Sequence, residues 1–104
     1  MTYLDEMADR LHIISTEKGF WPNEVDDIFI TKQLMMIVSE AVEVMEAIRK
    51  DKGKDEIASE MADIVIRTLD LYAGLRDNLY TDISLDAALE KRLASTKPDQ
   101  KGTV

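Results

Sequence analysis

The sequence predicts an all-α protein, built as a bundle of about four helices. Glycine and proline are scarce, with four and two residues in a chain of 104, and the helix-forming residues Ala, Leu, Met, Glu and Lys dominate. Apolar residues recur at intervals of three and four positions, which is the period of a helix with one buried face. No stretch alternates apolar and polar residues for long enough to predict a competing strand. A chain of this length and composition is expected to form one domain over residues 1–104.

The first helix is predicted over residues 2–18, and it ends at Gly19 because glycine commonly terminates helices. Four apolar residues define its buried face: Leu4, Met7, Leu11 and Ile14. Residues 19–26 are predicted to form a loop, which contains the neighbouring aromatic residues Phe20 and Trp21.

Three further helices follow this loop. The second is predicted over residues 27–50 and the third over residues 55–75, with a short polar turn between them. Ser84 is a good N-cap for a short fourth helix that reaches about residue 94. The polar tail, residues 95–104, is expected to be flexible when nothing is bound.

The composition excludes several classes of function. The formal net charge of -8 opposes binding to duplex nucleic acid or to anionic lipid. There is no cysteine, which excludes disulfides, thiolate nucleophiles and Cys-ligated zinc or iron–sulfur sites. No apolar run approaches the roughly 20 residues of a membrane span, and no secretory signal is recognisable. The expected location is therefore the cytoplasm, with no membrane partner.

Four carboxylates form the most informative pattern in the chain. Glu40 and Glu43 lie on the second predicted helix, and Glu60 and Asp63 lie on the third, each pair at i, i+3 spacing. That spacing places both carboxylates of a pair on one helix face, about one turn apart. If the two helices pack antiparallel, all four side chains can converge on one point. Converging like charges require a cation, and hard oxygen ligands select Mg²⁺, Mn²⁺ or Ca²⁺.

The same acids are also compatible with solvated helix faces, where most helical glutamates lie. The sector of the first pair also contains Met36 and Ala47, and Asp63 lies between Ile64 and Ile66. A solvent-facing stripe would more often hold Lys, Gln or Ser at such positions. The spacing alone leaves both interpretations open.

The segments 33–47 and 60–70 resemble the MazG-like nucleotide pyrophosphohydrolases, which belong to the all-α NTP pyrophosphatase superfamily. The hallmark of that family is E-x-x-E, a variable spacer and E-x-x-D. Here the two halves are separated by 16 residues, 44–59, which suits a helix–loop–helix connection. The resemblance covers about residues 15–102, including the aromatic loop that precedes the first motif in short members.

The resemblance implies an Mg²⁺-dependent enzyme, with Mn²⁺ as a substitute, that cleaves nucleoside triphosphates to monophosphate and pyrophosphate. The implied metal ligands are Glu40, Glu43, Glu60 and Asp63, and Glu43 is also the candidate to orient or deprotonate the attacking water. The family further implies a homodimer in which the central helices of two protomers complete a larger bundle, and short members often form tetramers. Self-association suits a chain this short, because small domains bury little of their surface.

Five other side chains are candidate substrate contacts: Trp21, Lys32, Arg67, Lys91 and Lys97. Trp21 would either stack on a base or cover the core. Arg67 would hold a phosphate or pair with an acid, and Lys32 would reach a phosphate or stay solvated. Lys91 and Lys97 lie where the resemblance places basic residues, although Ser95 and Lys97 replace the Asn and Arg of many relatives.

Three other functions are alternatives to this one. A di-iron carboxylate bundle requires E-x-x-H pairs, and the single histidine, His12, has no Glu three residues before it. A non-catalytic helical module for oligomerisation or nucleotide sensing is a second alternative, which the four intact acids disfavour. A third is a dUTP- or dCTP-specific member of the same superfamily. The sequence does not select a base or a sugar, because that choice depends on the shape of the pocket.

Overall fold

The computed structural model describes residues 2–95 and contains four helices in this range, with no strand. The prediction of an all-α protein is therefore confirmed for the described part of the chain. The bounds of the helices are α1 Tyr3–Glu17, α2 Asp27–Arg49, α3 Lys54–Asn78 and α4 Leu85–Ser95. They agree with the sequence prediction to within a few residues, the largest difference being the end of α3, which was expected at residue 75. Lys97 and the other tail residues, 96–104, lie outside the described residues.

Side-chain caps and glycines set the ends of the helices. Thr2, Asp26 and Ser84 each accept a hydrogen bond from the amide three residues later, at 3.2, 2.8 and 3.1 Å. These bonds satisfy amides that have no partner within the helix, and they confirm Ser84 as the predicted cap. Gly19 follows α1 and Gly53 precedes α3 with φ of +79° and +94°, a backbone region that favours glycine because it has no Cβ.

The third helix is the centre of the fold, since it packs against α1 on one side and α2 on another. The buried cluster lies between α1 and α3 and consists of Ala8, Leu69, Tyr72 and Ala73. Four partly buried residues pack around it: Leu4, Met7, Leu11 and Leu85. α4 adds to this core by packing against α1.

The loop between α1 and α2 is fastened to the bundle by Trp21. Its Nε1 donates a 3.0 Å hydrogen bond to Oδ1 of Asp70, and Nδ1 of His12 lies 2.8 Å from the same oxygen. The indole meets the His12 ring edge-on, with centroids 4.6 Å apart, and contacts Phe29 at 5.0 Å. It lies so close to Gly74 that a Cβ at that position would overlap the ring. We call this arrangement of Trp21, His12, Asp70 and Gly74 the tryptophan anchor.

Polar contacts add to the packing of α1 on α3. The Tyr72 hydroxyl donates a 2.7 Å hydrogen bond to Asp5, and this bond is the main reason that the pKa of the Asp5 carboxyl is lowered. Arg76 pairs with Asp9 and lies 3.6 Å from Asp5, and its pKa is raised, mainly by the hydrogen bond to Asp9. The lowered pKa of Asp5 means that this contact stabilises the fold at neutral pH.

Much of α2 faces away from the core. Four apolar residues with 3-4-3 spacing form an exposed row that we call the α2 stripe: Met35, Val38, Val42 and Met45. Spacing of this kind is typical of a helix that packs lengthwise against another helix. Among residues 2–95, no helix is long and apolar enough to span a membrane.

Candidate functional site

The hairpin of α2 and α3 brings three of the four predicted acids together. One carboxylate oxygen from each of Glu40, Glu60 and Asp63 lies within 4.8 Å of the other two. The helices are joined by a short turn and pack against each other, so the first motif on α2 faces the second on α3. We call these three residues the carboxylate triad.

Glu43 lies outside the triad and is exposed. It is nevertheless near enough for its charge to act on Glu60. The pKa of Glu60 is raised, first by desolvation and then by the negative charges of Glu56, Asp63, Glu43 and Glu40. The site therefore carries an excess of negative charge that a cation would neutralise.

The donor set of the triad fits a divalent cation. All three donors are carboxylate oxygens, the ligands that Mg²⁺, Mn²⁺ and Ca²⁺ prefer. Around Mg²⁺, with bonds of about 2.1 Å, oxygen ligands lie roughly 3 to 4 Å apart. A separation of no more than 4.8 Å thus requires only small movements of flexible side chains.

Arg67 pairs with one member of the triad. Its Nε donates a 2.8 Å hydrogen bond to Oε1 of Glu40, in a partly buried position. The sequence left two roles open for Arg67, and the structure shows the pairing with an acid. A guanidinium has five N–H donors in a planar fork, so this bond leaves others for a phosphate.

Two adjoining cavities of about 300 and 310 Å³ open beside the triad. Five residues line both cavities and define what we call the groove: Ser15, Phe20, Gln33, Arg67 and Asp70. Glu40 and Asp63 line only the first cavity, and Lys32 lines only the second. Each volume lies at the lower end of the range for small-molecule sites, and the two together provide a longer trough.

The remaining predicted contacts fall in different places. Lys32 is exposed and reaches the wall of the groove. Trp21 lines neither cavity, because its ring is packed in the tryptophan anchor. Lys91 is exposed on α4, which packs against α1, and it lines no part of the groove. Lys97 lies outside the described residues.

Sequence reasoning did not select Phe20, Gln33 or Asp70 as site residues, although all three line the groove. A signal was present for two of them. Gln33 precedes Glu40 by seven residues and Asp70 follows Asp63 by seven, and two helical turns return a side chain to nearly the same face. Nothing in the local sequence distinguishes Phe20 from its neighbour.

Glu46 continues the i, i+3 series of acids on α2, and it forms ion pairs with neighbouring residues of its own helix. Its carboxylate accepts a 2.7 Å hydrogen bond from Arg49 and lies 3.3 Å from Nζ of Lys50. The pKa of Glu46 is lowered, first by the bond from Arg49. Glu46 is therefore an acid of the same helix whose charge is already compensated.

A known protein family matches the part of the chain that contains the carboxylate triad. The family model described as the MazG nucleotide pyrophosphohydrolase domain matches residues 30–94, which is more than half of the chain. The chain belongs to the MazG nucleotide pyrophosphohydrolase family. No curated protein and no solved structure gives a match.

The matched segment of the MazG domain contains α3, nearly all of α2 and α4, and the whole carboxylate triad. The resemblance stated from the sequence motifs is thereby confirmed. α1 and the aromatic loop precede residue 30, so one wall of the groove is built by residues outside the match.

A pH-dependent effect on stability follows from the crowding of the triad. Replacing Glu60 by glutamine is expected to raise the melting temperature of the metal-free protein at neutral pH, because the folded state penalises the charged carboxylate. The pKa of Glu60 in the folded protein lies above 4.5, its ordinary value. The stability of the wild-type protein therefore falls as the pH rises from about 4.5 through the raised pKa. The difference between variant and wild type should therefore vanish below about pH 4.5. Thermal unfolding in EDTA across this pH range measures it.

Glu46→Gln is the matched control for this experiment, with an effect of opposite sign. Because the pKa of Glu46 is lowered, its charged carboxylate stabilises the fold at pH values above 4.5, the ordinary pKa of this group. Replacing Glu46 by glutamine is therefore expected to lower the melting temperature at neutral pH. A Glu60→Gln variant that melts below wild type in EDTA would contradict the crowding argument.

Proposed function

We propose that this MazG domain hydrolyses a nucleoside or deoxynucleoside triphosphate to the monophosphate and pyrophosphate, with Mg²⁺ as cofactor and Mn²⁺ as a substitute. The observation that supports the proposal most directly is the convergence of Glu40, Glu60 and Asp63 within 4.8 Å. All three residues lie inside the family match, and Glu40 and Asp63 line the first cavity. An acidic protein can accept a polyphosphate where the carboxylates are offset by a cation.

In this proposal the triad holds the cation, which when bound would neutralise phosphate charge and make a water easier to deprotonate. Glu40, Glu60 and Asp63 each supply one oxygen, and Glu43, exposed beside them, completes the predicted ligand set. Arg67 orients the Glu40 carboxylate through its 2.8 Å bond and offers its remaining donors to the phosphates.

Glu43 is the proposed general base. Its carboxylate accepts a proton from the water as the water oxygen bonds to the α-phosphorus. The bond from the α-phosphorus to the bridging oxygen then breaks, and pyrophosphate leaves with that electron pair. Glu43 is exposed and lies outside the triad, so one of its carboxylate oxygens can accept the proton while the other completes the ligand set.

The first experiment is to measure pyrophosphate release from a panel of canonical and modified nucleoside triphosphates, with Mg²⁺, with Mn²⁺ and with EDTA. Metal-dependent turnover is expected. Turnover restricted to dUTP or dCTP would identify a pyrimidine-specific member of the superfamily. The absence of turnover across the panel would overturn the proposal and favour a non-catalytic module.

We also propose that the protein is a homodimer, with a tetramer as a further assembly, in which the α2 stripe packs against a second copy. The four residues of the stripe are between 48% and 68% exposed in the single chain, and they lie along the helix that carries the first acidic motif. Burying such a row against its own copy would remove apolar surface from water on both sides.

Replacing Val38 by glutamate, in the middle of the stripe, is expected to raise the dissociation constant of the dimer by about 100-fold or more. Each copy would place an unpaired carboxylate in an apolar interface, which is costly. Sedimentation over a range of concentrations measures the effect, and Ile13→Glu, on the exposed side of α1, is the control. A wild-type protein that remains monomeric at micromolar concentration would contradict the interface.

A further inference from the structure

The two neighbouring aromatic residues of the loop are placed very differently. Trp21 stabilises the fold: its Nε1 donates a hydrogen bond to Asp70, and its ring packs against His12, Phe29 and Gly74. The Phe20 side chain is 64% exposed and lines both cavities of the groove. The ring is not part of the buried cluster, so its face is available to a ligand in the groove.

The backbone holds Phe20 at the rim of the groove. The Phe20 amide donates a 3.1 Å hydrogen bond to the carbonyl of Ser15, across the turn made by Gly19. The next residue, Trp21, is fixed by the tryptophan anchor. The ring is therefore presented on a backbone held on both sides, which lowers the entropic cost of stacking on a ligand.

A polar side chain lies in the same groove. Gln33 lines both cavities, is partly buried, and makes no side-chain hydrogen bond within residues 2–95. Its amide offers two N–H donors and one carbonyl acceptor, the combination that pairs with the edge of a nucleobase. Gln33 precedes Glu40 by seven residues, or about 10 Å along the helix, so the amide lies away from the triad.

We propose that Phe20 and Gln33 form the nucleobase subsite of the groove. The base stacks on the ring of Phe20, the amide of Gln33 bonds to the base edge, and the phosphates extend past Arg67 to the triad. This inference rests on the proposed function and adds to it the residues that select the substrate. Phe20 precedes the family match, so the match assigns it no role.

The test compares ligands with and without a base. Phe20→Ala and Gln33→Ala are each expected to raise KM for the best nucleotide by about 5- to 100-fold, the scale of one lost stacking contact or bidentate base contact. Inhibition by inorganic tripolyphosphate, which has no base, is expected to stay within about 2-fold of wild type. Tyr80→Ala, an exposed aromatic outside the groove, is the control and is expected to leave both constants unchanged.

Binding of the α,β-imido analogue of the nucleotide, which the proposed reaction cannot cleave, is measured by calorimetry and separates the two proposals. If wild type binds the analogue but turns over no nucleotide, the hydrolase proposal fails and the subsite is still tested by the loss of binding in the variants. If wild type is active and the Phe20 and Gln33 variants keep wild-type KM, the subsite is wrong and the hydrolase stands. Equal weakening of nucleotide and tripolyphosphate would also overturn the subsite, and circular dichroism confirms that each variant is folded.

Discussion

Replacing Asp63 by asparagine is expected to lower kcat/KM for pyrophosphate release by on the order of 10³-fold or more. Asparagine keeps the shape of the side chain but removes one of the three negative charges that converge within 4.8 Å. Loss of a residue that only supports a metal ligand costs about 10- to 100-fold, so loss of a ligand's charge should cost more. Steady-state rates at saturating Mg²⁺ measure the effect, and circular dichroism should show an unchanged helical signal.

Glu46→Gln is the matched control for Asp63→Asn, since it also removes one negative charge from the same helical hairpin. Its carboxylate is already paired with Arg49 and Lys50, and we expect activity within about 2-fold of wild type. A second readout does not depend on turnover. Mg²⁺ should raise the melting temperature of wild type and of Glu46→Gln but not that of Asp63→Asn. Full activity in Asp63→Asn would refute the assigned site.

Replacing Gly74 by alanine is expected to lower the free energy of unfolding by about 2 to 3 kcal/mol, the scale of an overpacked core. The added Cβ would overlap the six-membered part of the Trp21 indole, so the ring would have to leave its bond to Asp70. At an ordinary position within a helix the same change stabilises by about 0.5 to 1 kcal/mol, so the expected sign is reversed here. Urea unfolding followed by circular dichroism gives the value.

A double-mutant cycle isolates the cause of this effect. In a Trp21→Ala background the space that the indole occupied is empty, and Gly74→Ala should become neutral or stabilising. A loss of stability that persists in that background would show that the clash lies elsewhere. The fluorescence of Trp21, the single tryptophan, reports directly on whether the ring has moved in Gly74→Ala.

Features that depend on neighbours along the helix were predictable from the sequence. The four helices follow from apolar periodicity, and Ser84 caps α4 as its residue type and position indicate. The meeting of Glu40 with Glu60 and Asp63 follows from two i, i+3 pairs on helices joined by a short turn. Local spacing was sufficient for the helices and the cap. For the acids it left a solvated face as an alternative, and it did not show that Glu43 lies apart from the other three.

Features that depend on contacts between distant segments were not predictable. The position of Trp21 is decided by Asp70 and Gly74, about fifty residues away, and no local pattern shows that these three meet. Lys91 does not reach the groove because α4 packs on α1. The periodicity of a helix does not show which other helix it packs against. Arg67 was left with two roles because only the structure shows its 2.8 Å bond to Glu40.

The groove is built from two parts of the chain with different relations to the family. The acids and Gln33 belong to the matched segment, whereas Ser15 and Phe20 come from the 29 residues before it. Evolution can therefore change the residue that stacks on the base, Phe20 in this chain, without altering the groups that act on the phosphates. The same separation offers protein engineers a simple strategy. Exchanging the first 29 residues between MazG domains together with the residue at position 33, with the contacts of the tryptophan anchor retained, should transfer substrate preference while leaving the hydrolytic centre in place.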